Sequence, residues 1–364
     1  MSPKCSVCDV PCTRVCVCGQ VRYCSIQCQK MDWVMHRDSC PIVSVREISN
    51  KGKGLVVNRS ISMGQVILAE KPLMLVKFNQ PSNLLADVLK QYKKLNKKQK
   101  SQYLGLGHQV KGRGIKILAI FESNCVSVQI SEDEDDWRGI FLQFSKTNHA
   151  CAYNSVINIL DNEREIKLVA SRNIQKGEEI VVNYLNPYRE KKPSLMLRFE
   201  RMRSLRNLWS FSCSCDVCSL TGQRLVRNEE IKNNIINLET KQQQFRNIRN
   251  MHNAMNSLSL ELAIFDLMGK LKDEMIREIP DCLMRCYLYG RVLQIHGVKQ
   301  RENPDNFRRS AMDIAIKLGD SYVRRIKERE REYDVFISEA TGTLVKERMS
   351  RVLEKRVTIS LWQP

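Results

Sequence analysis

Eight cysteines and one histidine fall within the first forty residues: Cys5, Cys8, Cys12, Cys16, Cys18, Cys24, Cys28, His36 and Cys40. They come in short pairs, CSVC, CVC, YCSIQC and HRDSC, the spacing at which thiolates and an imidazole converge on tetrahedral Zn²⁺. A segment this poor in apolar residues cannot fold on a core alone, so the metals would supply its folding free energy. A disulfide framework is the competing reading. The sequence reads as having no secretory leader, and His36 stands where a ligand is needed, so metal is favoured. A second cysteine group, Cys213, Cys215 and Cys218 in FSCSCDVC, offers three ligands where a structural zinc takes four.

Between the two groups lie polar and glycine-rich elements whose order is informative. Lys51-Gly52-Lys53-Gly54 comes first, then Asn148-His149-Ala150-Cys151-Ala152-Tyr153-Asn154, then Tyr184 in IVVNYLNPY, then Phe211 at the head of FSCSCDVC. Together they resemble a SET domain with its post-SET cysteines, and the amino-terminal cluster resembles a MYND finger. The chain is thereby similar to the SET and MYND family of protein-lysine methyltransferases, with its finger before the SET segments rather than interrupting them.

That resemblance implies a ligand scheme and a chemistry. The MYND pairs interleave, so one zinc would take Cys5, Cys8, Cys24 and Cys28, and another Cys16, Cys18, His36 and Cys40, with Cys12 as a substitute for Cys16. Cys151 would complete the third site with Cys213, Cys215 and Cys218, giving three Zn²⁺ in all. Cys12, Cys125, Cys282 and Cys286 stay without an assignment. S-adenosylmethionine would contact Lys51, Gly52, Lys53, Gly54, Asn124, Ser145, Asn148, His149, Tyr184 and Phe211, with Lys53 near its carboxylate. Asn148 and His149 would sit in a pseudoknot, and Tyr184 would be the catalytic residue, orienting a lysine amine of a histone or another protein. Phe211 would close the lysine channel or stack on the adenine. Three positions depart from the family: Ala150 replaces a serine, Tyr153 a proline and Trp209 a tyrosine. The last removes a hydroxyl from the channel wall, which predicts weak turnover. Tyr188 lies near enough in sequence to compensate. A scaffold that recruits partner proteins in transcriptional regulation is the alternative function, and proline-containing peptides are the partners expected at the finger, around Gln29 and Trp33.

The elements that must hold these residues begin with an internal echo. Leu55, Val56, Arg59, Ile61, Gly64 and Ile67 recur as Leu168, Val169, Arg172, Ile174, Gly177 and Ile180, all at one offset. Each copy reads as a β-hairpin with its glycine at positive φ in the turn. Helical spacing follows between residues 82 and 130, as at Leu84, Leu85, Val88, Leu89, Tyr92 and Leu95, and an acidic stretch at 131–136 precedes Trp137. After residue 219 the pattern is that of amphipathic antiparallel helices, which the resemblance casts as a tetratricopeptide-like lid, although no 34-residue repeat is present. The expected fold is α+β: a MYND finger over 1–41, SET segments over 42–81 and 138–208 around a helical insert at 82–137, a post-SET zinc motif over 209–219, and a helical domain over 220–364.

Charge and hydropathy narrow the partners. Among 364 residues, 59 are Lys or Arg against 40 acidic, a formal +19. Three zinc sites built from eleven thiolates and one imidazole would leave about +14. Anionic partners are favoured, weak nucleic-acid binding among them, although the lysines of KKLNKKQK at 93–100 also suit a solvated helix face. No apolar run reaches the ~20 residues needed to cross a membrane. The reading is a monomeric protein of cytoplasm and nucleus, without membrane contact.

Overall fold

The computed structural model describes residues 4–12, 14–16, 21–78, 83–107, 115–129, 136–160, 165–185, 193–245, 247–271, 274–276 and 278–360. The chain divides into two compact units, Met1–Pro187 with Arg198–Ser219, and Tyr188–Leu197 with Leu220–Pro364.

The first unit opens with the finger. A two-residue ladder, β1 (Arg14–Val15) on β2 (Arg22–Tyr23), precedes helix α1 (Ile26–Ser39). Ser25 caps the helix, its Oγ accepting from the Cys28 amide at 3.1 Å, which satisfies an amide that has no partner inside the helix. Among the described residues the buried apolar cluster here is Cys5, Cys16, Tyr23 and Cys40, with His36 also buried. So small a core agrees with a fold that depends on metal.

The SET segments form two sheets. One has the order β3 (Val43–Ile48), β4 (Gly52–Val57), β12 (Glu179–Val182), β9 (Asn148–His149); the other has β10 (Ser155–Leu160), β11 (Glu165–Ala170), β5 (Val66–Glu70). The two echo copies are not hairpins. Strand β4 pairs with β12 and β5 with β11, so each copy sends its strands to different sheets and pairs with the other copy. The copies meet at Ile61 and Ile174, whose amides and carbonyls exchange two hydrogen bonds of 2.9 Å. Gly64 donates to the Ala170 carbonyl and Gly177 to the Val57 carbonyl, both at 2.8 Å, in matching positions of the echo. Both glycines have positive φ, 86° and 88°, so their turns suit glycine as expected. The connections are too long for the two-residue turn that locks a hairpin, and the repeated apolar residues explain the exchange. Leu55, Ile61 and Ile67 pack in one cluster with Leu168, Ile174 and Ile180.

The insert is only partly helical. α2 (Leu84–Lys94), α3 (Lys97–Leu104) and α4 (Lys116–Asn124) are followed by strands β7 (Val126–Gln129) and β8 (Asp136–Ile140), which join β6 (Met74–Lys77) in the order β6-β8-β7. Alternating Val126 and Val128 favour strand where helix spacing had been read through. Most of the acidic stretch lies outside the described residues. A last helix, α5 (Arg198–Trp209), leads into the post-SET cysteines.

The second unit is helical, with α6 (Gly222–Gln242), α7 (Met251–Leu271), α8 (Ile279–Ile295), α9 (Pro304–Leu318) and α10 (Asp320–Ser360). Neighbouring helices pack in sequence, and α8 also meets α10. Buried residues run almost all round α8, which marks it as the centre. Two buried carboxylates set the register between helices: Glu261 accepts from Arg285 at 2.6 Å and Gln242 at 2.7 Å, and Glu274 from Lys232 at 2.5 Å and Asn228 at 2.8 Å. The apolar run Ile314, Leu318, Tyr322, Ile326 spans two helices, because Gly319 at φ 108° separates them.

Candidate active site and metal centres

Sulfur geometry tests the metal assignments. Zinc–sulfur bonds of about 2.3 Å in a regular tetrahedron give sulfur–sulfur edges of about 3.8 Å. In the finger, Cys8 and Cys24 are 3.4 Å apart, Cys24 and Cys28 3.5 Å, and Cys28 and Cys8 3.9 Å, and Cys5 completes the group. Cys16, His36 and Cys40 form a second group, with a 4.0 Å edge between the two sulfurs. Its expected fourth ligand, Cys18, lies outside the described residues. Cys12 belongs to neither group, so Cys16 rather than Cys12 occupies the ligand position. The third group is Cys151, Cys213, Cys215 and Cys218, with Cys151 and Cys218 3.5 Å apart. These separations far exceed a disulfide bond and fit thiolates gathered for a shared ion.

Close to the third group a cavity of about 800 Å³ opens within the first unit. Its wall includes Lys51, Asn148, His149, Tyr184, Trp209 and Phe211, so five of the residues expected at the cofactor or in catalysis converge with the position of the missing tyrosine. Their placement follows from the sheet. β9 carries Asn148 and His149 and runs parallel to β12, pairing Asn148 with Val181 and His149 with Val182, two residues before Tyr184. Asn154, buried, holds the strand from the other side: its Oδ1 accepts from the Val181 amide at 2.9 Å and its Nδ2 donates to the Glu179 carbonyl at 2.8 Å. On the far wall, Ser210 ends α5 at φ 55°, the turn that separates Trp209 from Phe211.

The rings enclose one face of the cavity. Tyr184 lies 5.4 Å from His149, 5.5 Å from Trp209 and 6.4 Å from Phe211, centroid to centroid. Its hydroxyl donates to the Thr147 carbonyl at 2.5 Å. Burial, reinforced by the Glu179 carboxylate, raises its pKa above the usual tyrosine range, so it stays a neutral donor. Burial likewise pushes the His149 imidazolium down to about 4; Cys215 opposes this, while Arg201 and Lys51 add to it. An aromatic box with a polar rim suits a ligand that carries positive charge.

The remaining expected residues lie around the cavity rather than in its wall. Gly52, at φ 73°, lets the chain turn into β4. At Gly54 a Cβ would come within 2.5 Å of Ile48 Cγ1 and 2.9 Å of Glu179 Oε1. Packing alone thus demands glycine there. Asn124 closes α4, its Nδ2 donating to the carbonyls of Gly107 at 2.7 Å and Ile120 at 2.8 Å. Ser145 lies in a short 3-10 turn, and its buried Oγ has no hydrogen-bond partner among the described residues.

Glu179 was not anticipated from the sequence. It accepts from Lys51 Nζ at 2.8 Å and Asn148 Nδ2 at 2.7 Å, tying the first motif to the second. Its neighbour Glu178 accepts from Arg172 and Asn154. A signal was present: the echo has uncharged Gln65 and Val66 where the second copy has Glu178 and Glu179. Glu122 and Ser123, on α4, line the cavity as well, with no motif to announce them.

Comparison with known proteins agrees with this architecture. The SET domain family model matches residues 52–185. A SET and MYND domain-containing protein of Dictyostelium discoideum is 24% identical over 242 residues, covering 59% of this chain and 42% of that protein. The human N-lysine methyltransferase SMYD2 is 27% identical over 219 residues, 56% of this chain and 46% of its own length. The histone-lysine N-methyltransferase SET5 of Candida albicans is 35% identical over 113 residues, 31% and 21% respectively. The chain spans less than half the length of these relatives. The chain thus carries a SET domain over residues 52–185 with a finger-like cysteine cluster ahead of it, and it is similar to SET and MYND domain-containing proteins.

Proposed function

We propose that the protein transfers a methyl group from S-adenosylmethionine to a lysine of a histone or another protein. The observation that carries this reading is the cavity in which Asn148, His149 and Tyr184 of the matched SET segment converge with Lys51, just before it, and Phe211, beyond it. Its volume is that of a small-molecule site. The residues suit the cofactor: a lysine ammonium at the rim for its carboxylate, the polar Asn148, and rings to cover its base and its sulfonium. When bound, S-adenosylmethionine supplies an electrophilic methyl for in-line displacement. The chain's own contribution is alignment and exclusion of water. Lys51, held by Glu179, and Asn148 grip the amino-acid end, Phe211 covers the adenine, and Lys53, Gly52 and Gly54 keep the first motif in place. Tyr184, its proton held by the Thr147 carbonyl, accepts from an N–H of the lysine amine and so turns the amine's lone pair toward the methyl. Trp209 preserves an aromatic wall without a hydroxyl, which lowers turnover on generic histone substrates. Three Zn²⁺ hold the frame.

The test is calorimetric titration of zinc-replete protein with S-adenosylmethionine, followed by mass-spectrometric detection of methylated peptide. Binding with slow transfer is expected, and Trp209→Tyr should raise the rate. Absence of binding to folded protein leaves the scaffold reading.

That second reading has its own observation. Helix α1 of the finger exposes Ile26, Met31, Val34 and Met35, with Trp33 partly exposed beside them, an apolar surface suited to a proline-containing peptide. A basic elbow of exposed Lys90, Lys93, Lys94, Lys97 and Lys98 joins α2 to α3, where a weakly held nucleic acid would dock. Both partners are compatible with residence in cytoplasm and nucleus.

A further inference from the structure

Four thiolates around one Zn²⁺ carry a net charge of about −2. In the third metal group Cys151, Cys213 and Cys218 are buried. Buried charge of this size is costly unless compensated. Backbone amides meet part of the need: Cys151 N–H points at Cys215 Sγ at 3.4 Å and Cys215 N–H at Cys213 Sγ at 3.5 Å.

Two side chains meet the rest. Arg201 on α5 is 1% exposed, although arginine is seldom buried, and its Nη2 lies 3.8 Å from Cys218 Sγ. His149 is 4% exposed, with Nε2 3.4 Å from Cys151 Sγ. The opposite ring nitrogen, Nδ1, accepts the Tyr184 amide proton at 2.9 Å. A nitrogen that accepts carries no proton, so the ring proton resides on Nε2, directed at the sulfur. A zinc thiolate has no proton to offer, which makes that direction the only productive one.

We propose that Arg201 and His149 are positioning residues for the third zinc site, Arg201 neutralising part of its charge and His149, as a neutral donor, orienting it and fixing the Tyr184 backbone to it. The metal then governs the tyrosine through one imidazole. The same helix that carries Arg201 ends at Trp209, so both walls of the cavity answer to this ion. The proposal rests on the zinc assignment, and only its last link on the proposed role of Tyr184.

The experiment uses the full chain loaded with zinc. Arg201→Met keeps bulk and removes charge; Arg201→Lys restores charge. Zinc transfer to a chromogenic chelator should show one of three ions leaving about tenfold faster in Arg201→Met, within the range for losing such outer partners, with Arg201→Lys close to the unaltered protein. Equal release from all three proteins would overturn the arginine role. For His149, nitrogen-15 spectra of the unaltered protein, with cadmium-113 in place of zinc, should show a protonated Nε2 with scalar coupling to the metal. A protonated Nδ1 would overturn that role, and this measurement needs no variant to fold. A stoichiometry of two metals would refute the zinc assignment itself. Intact zinc results beside failed cofactor binding would refute the methyltransferase reading and leave this inference standing.

Discussion

The finger and the post-SET site gather the same kind of metal ligands in opposite settings. In the finger Cys8 and Cys24 are exposed, and among the described residues the buried apolar cluster is four residues. In the post-SET site three of four ligands are buried, Arg201 and His149 press on the sulfurs, and the cavity wall begins at the next residues. The first metal group therefore makes a module possible, while the other secures a surface that a larger core has already folded. Loss of metal should have different consequences in each.

The strongest way to break that contrast is to remove one ligand from each. Cys151→Ser should release one zinc and, by loosening residues 209–218, abolish both cofactor binding and transfer. Cys24→Ser should release zinc from the finger, yet leave cofactor affinity within about twofold, since folding free energy drawn from metal is local to its module. Metal analysis beside calorimetry measures both. Equal loss of cofactor binding in the two variants would erase the distinction.

Next in size is the tyrosine the post-SET site supports. If the Tyr184 hydroxyl serves transfer as proposed, Tyr184→Phe should lower transfer on the order of 10² to 10³-fold with little change in cofactor affinity, since such a contact acts in the transition state more than in the bound ground state. The pH profile sharpens this. Burial raises the Tyr184 pKa above the usual range, so the protonated donor persists as pH climbs past 10. Activity should show no descending limb below that pH, and a fall near 9 would indicate a different group.

Gly54→Ala should cost about 1–3 kcal/mol, since the new methyl meets Ile48 and Glu179 well inside contact distance. Thermal unfolding would report it. The variant also separates packing from cofactor contact: full cofactor affinity in a destabilised protein assigns Gly54 to packing alone.

Much of this site was legible because metal ligands and the SET motifs are local in sequence. Eleven of the twelve expected ligands gather in three groups, with Cys18 beyond the described residues. Contacts between distant segments were not legible. The echo was visible, but sequence alone does not say whether two similar strand pairs fold on themselves or on each other, and here Ile61 and Ile174 join the copies. Glu179 and Arg201 carry their roles through partners far along the chain, with Lys51 128 residues from Glu179. Charged residues of that kind look like ordinary surface until their burial is known.

The smallest expected effect concerns the basic elbow between α2 and α3. Lys97 and Lys98 occupy the first turn of α3, where positive charge opposes the helix dipole and no acidic residue offsets it. Asp87 is the acidic residue of the first turn of α2, one turn before exposed Lys90. If these lysines meet nucleic-acid phosphates, affinity should be weak and the logarithm of the binding constant should fall linearly with that of salt concentration. Replacing Lys93, Lys94, Lys97 and Lys98 by glutamine should flatten that slope by about the number of phosphates released, and should slightly stabilise the elbow by removing like-charge repulsion. Electrophoretic shift across a salt series measures the first effect and thermal unfolding the second. An unchanged slope with a raised unfolding temperature would return the elbow to solvent and place any anion binding elsewhere on the chain.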